Sequence, residues 1–326
     1  MRPIDTTTMS PFPSRLSTLL IPLICLALLS AALCGCHDRA PAAAESTDGA
    51  VITDALGRRV PVGAYGRVAA GSGSLAHIWV LAGGSLAGVT DDAFDGRFEL
   101  PQDVQNIGKL NQISLEKLIA LDPDLVILSS EIASQVKLLE GLEAAGIRGV
   151  CLSVESFGDY LAVLKDFTDI TGREDLREQN GLALKARVDG ALEKAKGAGA
   201  PKILLLRANS GKTQARNSDS LAGAMLRDMG CVNIADSRNG LLENLSMETV
   251  IKEDPDYIFA VLQGAEEEKA RKSLNEALTG DPAWASLRAV ESGRFLILPK
   301  DLFHEKPNDR WPEAYEMLLE ILYGKG

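Results

Sequence analysis

The sequence is short of aromatic rings, histidine and positive charge. Only 5% of its 326 residues are aromatic, and three are histidine. Acidic side chains outnumber basic ones 45 to 34, for a net charge of −11. Such a surface repels phosphate backbones, so nucleic acid is not an expected partner. A naked transition metal needs several converging histidine and carboxylate ligands. His37, His77 and His304 are too scattered to supply them. No nucleophile elbow, glycine-rich phosphate loop or cysteine cluster occurs, so catalysis is not expected. Of five cysteines, Cys25, Cys34 and Cys36 crowd the start of the chain. Cys151 and Cys231 sit in apolar contexts that suit small core residues. The division into lobes given below separates them, so a disulfide is not expected.

Long hydrophobic runs are also scarce, with one exception. Leu16 to Gly35 carries no charge and follows Arg2 and Arg15. A positive start, an apolar middle and small residues at the cut are the order of a secretory signal. The run ends in Leu33-Cys34-Gly35-Cys36, which resembles the lipobox of bacterial lipoproteins, with Cys36 as lipid acceptor. A membrane-spanning anchor is the alternative, since about 20 apolar residues suffice to cross a bilayer; the cleavage pattern favours the signal. Initiation at Met9 would give a shorter signal of the same kind. Residues 37–49 (HDRAPAAAESTDG) have the composition of a flexible tether. Without residues 1–35 the chain keeps 32 basic and 44 acidic side chains, a net of −12.

The most informative internal feature is a duplication. Residues 114–124 read SLEKLIALDPD and residues 246–256 read SMETVIKEDPD. Ser, Glu, Ile, Asp, Pro and Asp recur in register at 114/246, 116/248, 119/251, 122/254, 123/255 and 124/256. A second pairing precedes it: Ser74-Leu75-Ala76 leads to Gly84 as Ser220-Leu221-Ala222 leads to Gly230. Around these motifs apolar strands alternate with helices, which implies parallel sheets covered on both faces. The expected fold is α/β, with two similar Rossmann-like lobes joined by a long backbone helix. The expected boundaries are a signal at 1–35, a tether at 36–49, an N-terminal lobe at 50–156, bridging helices at 157–198 and a C-terminal lobe at 199–326. In the bridge, Phe157–Ile170 reads as one helix. Thr171-Gly-Arg-Glu174 matches a capping box ahead of a polar helix roughly 35 Å long at about 1.5 Å per residue.

In open α/β sheets ligands bind beyond the carboxyl ends of the strands. That rule selects Ser72, Ser74, Lys109, Asn111, Ser129, Ser130 and Glu155 in the first lobe. In the second it selects Arg207, Asn209, Lys212, Arg216, Asn217, Gln263 and the segment Phe303–Asn308 with His304 and Lys306. Each has a plainer role available: Ser74 and Ser220 as helix caps, the charged groups as solvated surface. The cluster Lys212, Arg216, His304 and Lys306 would make one wall basic in an acidic protein, as an anionic ligand requires. One cleft histidine, His304, could serve as an axial ligand to haem or a corrinoid.

Thr53-Asp54-Ala55-Leu56-Gly57-Arg58, the stretch Leu115–Val126 and Thr171–Glu174 together resemble the helical-backbone (class III) substrate-binding proteins of ABC importers for ferric siderophores, haem and cobalamin. The resemblance spans residues 51–323 and rests on the order of the motifs and the duplication. It implies an extracytoplasmic, lipid-anchored monomer with no resident cofactor. Such a protein captures a metal chelate between its lobes and delivers it to a permease dimer with its ATPase. It further implies that Glu116 and Glu248, one per lobe, dock onto arginines of the permease. The alternatives are a chelatase-like enzyme or a sensor built on the same paired lobes.

Overall fold

The computed structural model describes residues 50–324 except 244, 265, 280 and 281. Cys36, the signal and the tether lie outside the described residues. Among the described residues no helix is long and apolar enough to cross a membrane.

The N-terminal lobe opens with a hairpin, Val51–Thr53 against Arg59–Pro61. Asp54 ties this hairpin to the lobe. Its carboxylate accepts from the backbone of Leu56, Arg58 and Cys151 and pairs with the Arg58 guanidinium at 2.7 Å. Burial works to raise this carboxyl, but those hydrogen bonds outweigh it and hold the group below the usual aspartate range. The Thr53–Arg58 motif is therefore a structural pin. A five-stranded parallel sheet follows, ordered Gln105–Asn106, Gly88–Val89, Val68–Ala70, Leu125–Ser129 and Gly149–Leu152. The C-terminal lobe has a sheet ordered Thr213–Arg216, Lys202–Ala208, Tyr257–Leu262 and Phe295–Leu298, with Val232–Asn233 also paired to the start of Lys202–Ala208. Its outer strand Thr213–Arg216 runs antiparallel, a departure from the all-parallel expectation: a tight hairpin at Asn209–Lys212 returns the chain directly.

Strand alternation explains how three cores arise. Side chains one residue apart face opposite sides of a sheet. Val68, Ala70, Leu125, Ile127, Val150 and Leu152 face one core, as do Ile203, Leu205, Phe259 and Val261 of the other sheet. Their neighbours Ala69, Val126, Leu128 and Cys151 close a second core under helices Leu115–Leu121 and Ala133–Ala144. Leu204, Leu206, Ile258 and Ala260 close a third. The first core is continuous from lobe to lobe. It runs through Phe157, Tyr160, Leu164, Phe167 and Val188 of the bridge to Trp311, Tyr315 and Leu318 of the terminal helix Trp311–Tyr323. A shared apolar core of this kind resists wide hinge opening. Cys151 and Cys231 are buried free thiols, pushed by burial up to about 11 and about 12, which leaves them unreactive.

The bridge differs from expectation at its joint. Helix Phe157–Thr171 starts with a capping box formed by Ser156 and Asp159. The predicted box at Thr171–Glu174 does not form. Gly172 turns left-handed (φ 69°) to end the helix, and the Thr171 hydroxyl donates to the carbonyl of Ala82 instead. The helix is already complete at Thr171, so that hydroxyl faces back into the lobe. From Glu174 to Ala195 the chain stays helical through one wide turn at Glu178–Leu182. A wide turn frees carbonyls from the ladder, and the Tyr160 hydroxyl donates to that of Asn180 at 2.7 Å.

The duplicated motif folds identically in both lobes. Ser114 and Ser246 cap helices Leu115–Leu121 and Met247–Glu253, accepting from Lys117 N and Thr249 N. Asp122 and Asp254 end them in the left-handed region at φ 48° and 41°. Asp124 then accepts from Arg67 N and Asp256 from Lys202 N, each at 2.9 Å. The basic side chains of Arg67 and Lys202 donate back to the helix ends at the carbonyls of Leu121 and Glu253. Each copy thus fastens a helix end to the first strand of its lobe. The Ser-Leu-Ala pairing holds only loosely. Ser72, not Ser74, caps helix Gly73–Leu81 by accepting from Leu75 N, whereas Ser220, at the start of Leu221–Asp228, donates its hydroxyl to the Asn217 carbonyl; the left-handed glycines that follow are Gly83, not Gly84, and Gly230.

Candidate functional site

The strand ends of both sheets converge on a charged cleft. A cavity of about 580 Å³ is lined by Ser72, Ser74, Asp92, Arg97, Asn111, Ser129, Glu131, Gln263, Lys300, His304 and Lys306, with Leu75, Leu110, Ile132, Leu152 and Val154. A second, of about 370 Å³, is lined by Glu131, Glu155, Arg207, Arg216, Ser220, Phe303, His304 and Lys306 over a floor of Leu205, Leu206, Leu221 and Val261. Glu131, His304 and Lys306 line both, so the two spaces meet there.

Lys306 Nζ lies 2.9 Å from Glu131 Oε2 and 3.3 Å from Glu155 Oε1. It reaches from the C-terminal lobe to the first lobe's strand ends. The surrounding segment straps the lobes together at other points. Glu305 pairs with Arg97 at 3.0 Å, Asn308 donates from Nδ2 to the Ser74 carbonyl, and Asp309 lies 3.8 Å from His77, whose ring stacks on Phe98. Trp311 then enters the shared core against Phe157. Asn308 makes this crossing at φ 52°.

Burial, then the neighbouring Glu131 carboxyl, push Glu155 up to about 7, against the pull of Lys306. Burial also works to raise Glu131, but the hydrogen bond with Glu155 and the charge of Lys306 hold it low. The pair acts as one unit that keeps one proton until near neutrality. Burial and the charge of Arg207 push His304 down to about 4, so its imidazole is neutral at pH 7. Arg207 is itself lowered by burial and by Arg216. Neither arginine has an ion-pair partner among the described residues, and Arg216 Nε is buried with no hydrogen-bond partner. A buried donor without an acceptor costs roughly 1–3 kcal/mol. An anion in the smaller cavity would supply that acceptor.

The basic wall expected from Lys212, Arg216, His304 and Lys306 is therefore differently composed. Lys306 is spent on two carboxylates, His304 is neutral, and Lys212 sits exposed on the Asn209–Thr213 turn, outside the cavity linings. The uncompensated positive charge belongs to Arg207 with Arg216. Ser72, Ser74, Glu155, Arg207, Arg216, Gln263, His304 and Lys306 line the cleft. Lys109 and Ser130 do not; Lys109 is exposed, and Ser130 donates to the Leu152 carbonyl. Sequence reasoning passed over Glu131, Asp92 and Arg97. Glu131 follows Leu125–Ser129 by two residues, and the strand-end rule extended that far would have found it.

One pH effect follows. Below about 7 the Glu131–Glu155 unit carries one negative charge; above it, two. Affinity for an anionic ligand should fall roughly three- to tenfold as pH rises from 6 to 8, the scale of one added like charge nearby. Titrations at both pH values check this, and Glu155→Gln should flatten the profile.

A cleft between two α/β lobes, held on one continuous core and furnished with cationic groups that have no ion-pair partner among the described residues, defines a two-lobed solute-binding protein. Comparison with known proteins agrees. A sequence model of the periplasmic binding protein family matches residues 68–302, and the chain belongs to that family. It is 24% identical over 235 residues to the ferric-anguibactin-binding protein FatB of Vibrio anguillarum, covering 67% of this chain and 70% of FatB. Among solved structures it is similar to an ABC transporter substrate-binding protein from Listeria monocytogenes (TM-score 0.67, 20% identity, 79% of this chain and 99% of that one). It is also similar to a periplasmic heme-binding protein from Pseudomonas aeruginosa (TM-score 0.64, 26% identity, 80% and 94%). Family membership makes this an extracytoplasmic substrate-binding protein and corroborates the α/β two-lobed expectation.

Proposed function

We propose that this protein captures an anionic ferric chelate between its lobes and hands it to an ABC importer, without catalysing a reaction. The observation that carries the reading is the Arg207–Arg216 pair, half-buried in the cleft with one orphaned donor. Paired guanidinium groups suit carboxylate, catecholate or phosphate oxygens, which they can grip bidentately. Among the described residues no three histidine, cysteine or acidic side chains converge to hold a metal ion, so the metal would enter already chelated. The relative named for ferric-anguibactin points the same way.

A second reading is haem, favoured by His304. Its neutral imidazole lines both cavities and could bind iron axially. The heme-binding relative supports it. Titrating the purified protein with ferric citrate, a ferric tricatecholate and haemin separates the two. Tight binding of an anionic chelate with no Soret change on haemin addition supports the first reading. A Soret shift lost in His304→Ala supports the second, and no binding of any of the three removes both.

Delivery rests on two further assignments. Glu116 and Glu248 are taken as docking points for the two halves of a permease dimer, coupled to its ATPase. A lipid on Cys36 would hold a monomeric protein at the membrane surface, raising its effective concentration near the importer. Labelling with a radioactive fatty acid that persists in Cys36→Ala chains would remove the lipid assignment.

A further inference from the structure

The duplicated helices contain more than the fold requires. Of the six residues repeated in register, four have structural work. Ser114 and Ser246 cap the helices, Asp122 and Asp254 turn them off, Pro123 and Pro255 are buried, and Asp124 and Asp256 fasten the strands. Glu116/Glu248 and Ile119/Ile251 do none of this. Both glutamates are exposed and have no ion-pair partner among the described residues. Ile119 is 50% exposed and Ile251 37%. A β-branched residue on an exposed helix face is disfavoured by propensity and gains no packing there. Seven large apolar side chains are exposed among the described residues, and two of them occupy this one repeated position.

Residues three apart lie on the same helix face one turn apart. Each lobe therefore offers one carboxylate and one branched apolar side chain as a unit, while Leu118 and Val250 point inward. Resting on the transport reading, we infer that Ile119 and Ile251 are the apolar half of each docking contact. The partner they fit is a membrane permease pair presenting two equivalent sites, each with a cationic side chain beside an apolar pocket. The duplication argues for that partner: two copies of one contact unit suit two copies of one receiving surface. The acid supplies orientation and encounter, and the isoleucine, once desolvated, supplies much of the residence time.

The test is binding of the full chain to the permease–ATPase complex in lipid nanodiscs, with ATPase stimulation as a second readout. Ile119→Ser or Ile251→Ser should weaken binding about tenfold, and the double variant about a hundredfold. Melting temperature and ferric-chelate affinity should stay at wild-type values. Val232→Ser, which removes an apolar side chain 54% exposed elsewhere on the surface, should change nothing. Double-variant binding equal to that of Val232→Ser overturns the inference. If in that case Glu116→Gln with Glu248→Gln still abolishes binding, the transport reading survives without the isoleucines. If the wild-type chain itself neither binds nor stimulates the complex, it is the transport reading that fails.

Discussion

Replacing Arg207 and Arg216 together by methionine should lower affinity for an anionic ferric chelate by about a thousandfold and raise the melting temperature. The two effects have one cause. In the cleft, burial and then the neighbouring Arg216 guanidinium lower Arg207, and Arg216 Nε has no acceptor among the described residues. Methionine keeps an apolar stem of similar length in a cavity also lined by Leu205, Leu206 and Val261 but removes the charge. Well-packed apolar groups in place of poorly compensated charges are commonly neutral or stabilising. Both side chains are partly solvated, which limits the gain to about 1 kcal/mol, or roughly 2–4 °C in a chain this size. Each charge-assisted contact to the ligand is worth about 1.5–3 kcal/mol, so losing two gives a factor of roughly 10² to 10⁴. Calorimetric titration and a thermal melt on the same samples check both halves. Unchanged affinity, or a melting temperature that falls by several degrees, would mean that the pair is structural.

The second large effect concerns delivery. Glu116→Gln with Glu248→Gln should reduce chelate uptake by intact cells to background while leaving chelate affinity of the purified protein unchanged. Both residues stand in the first turn of their helices, where a carboxylate stabilises by about 0.3–1 kcal/mol. That loss is too small to unfold the lobes, and neither residue lines the cleft. Uptake measured with radioactive iron, beside solution affinity, separates docking from capture. Normal uptake, or affinity lost along with it, would contradict the docking role.

Much of this architecture was legible in the sequence because strong local rules act on it. Strands such as Tyr257–Leu262 are apolar on both faces and bounded by Asp-Pro-Asp and Gly, so their position follows from composition. What escaped has long-range causes. The strand Thr213–Arg216 is short and polar at its end, and becomes a strand only because Lys202–Ala208 offers it an edge. The Thr171–Glu174 pattern is a valid capping box on paper, but Gly172 ends the preceding helix and Thr171 finds Ala82. In the cleft, strand-end logic selected the right loops. It could not say that Lys306 would be neutralised by Glu131 and Glu155, since 175 and 151 residues separate those pairs in sequence. The charge left for a ligand is what remains after such pairing, and pairing is a property of the fold.

In the proposed function the cleft selects its ligand by negative charge through Arg207 and Arg216. Isothermal titration of the purified wild-type chain with ferric chelates of graded charge tests it most directly. A neutral ferric trihydroxamate, ferric citrate and a ferric tricatecholate at constant ionic strength form the series. The expected result is affinity that rises with negative charge, with a dependence that vanishes when both arginines are methionine. Equal affinity across the series, or tightest binding of the neutral chelate, would contradict it.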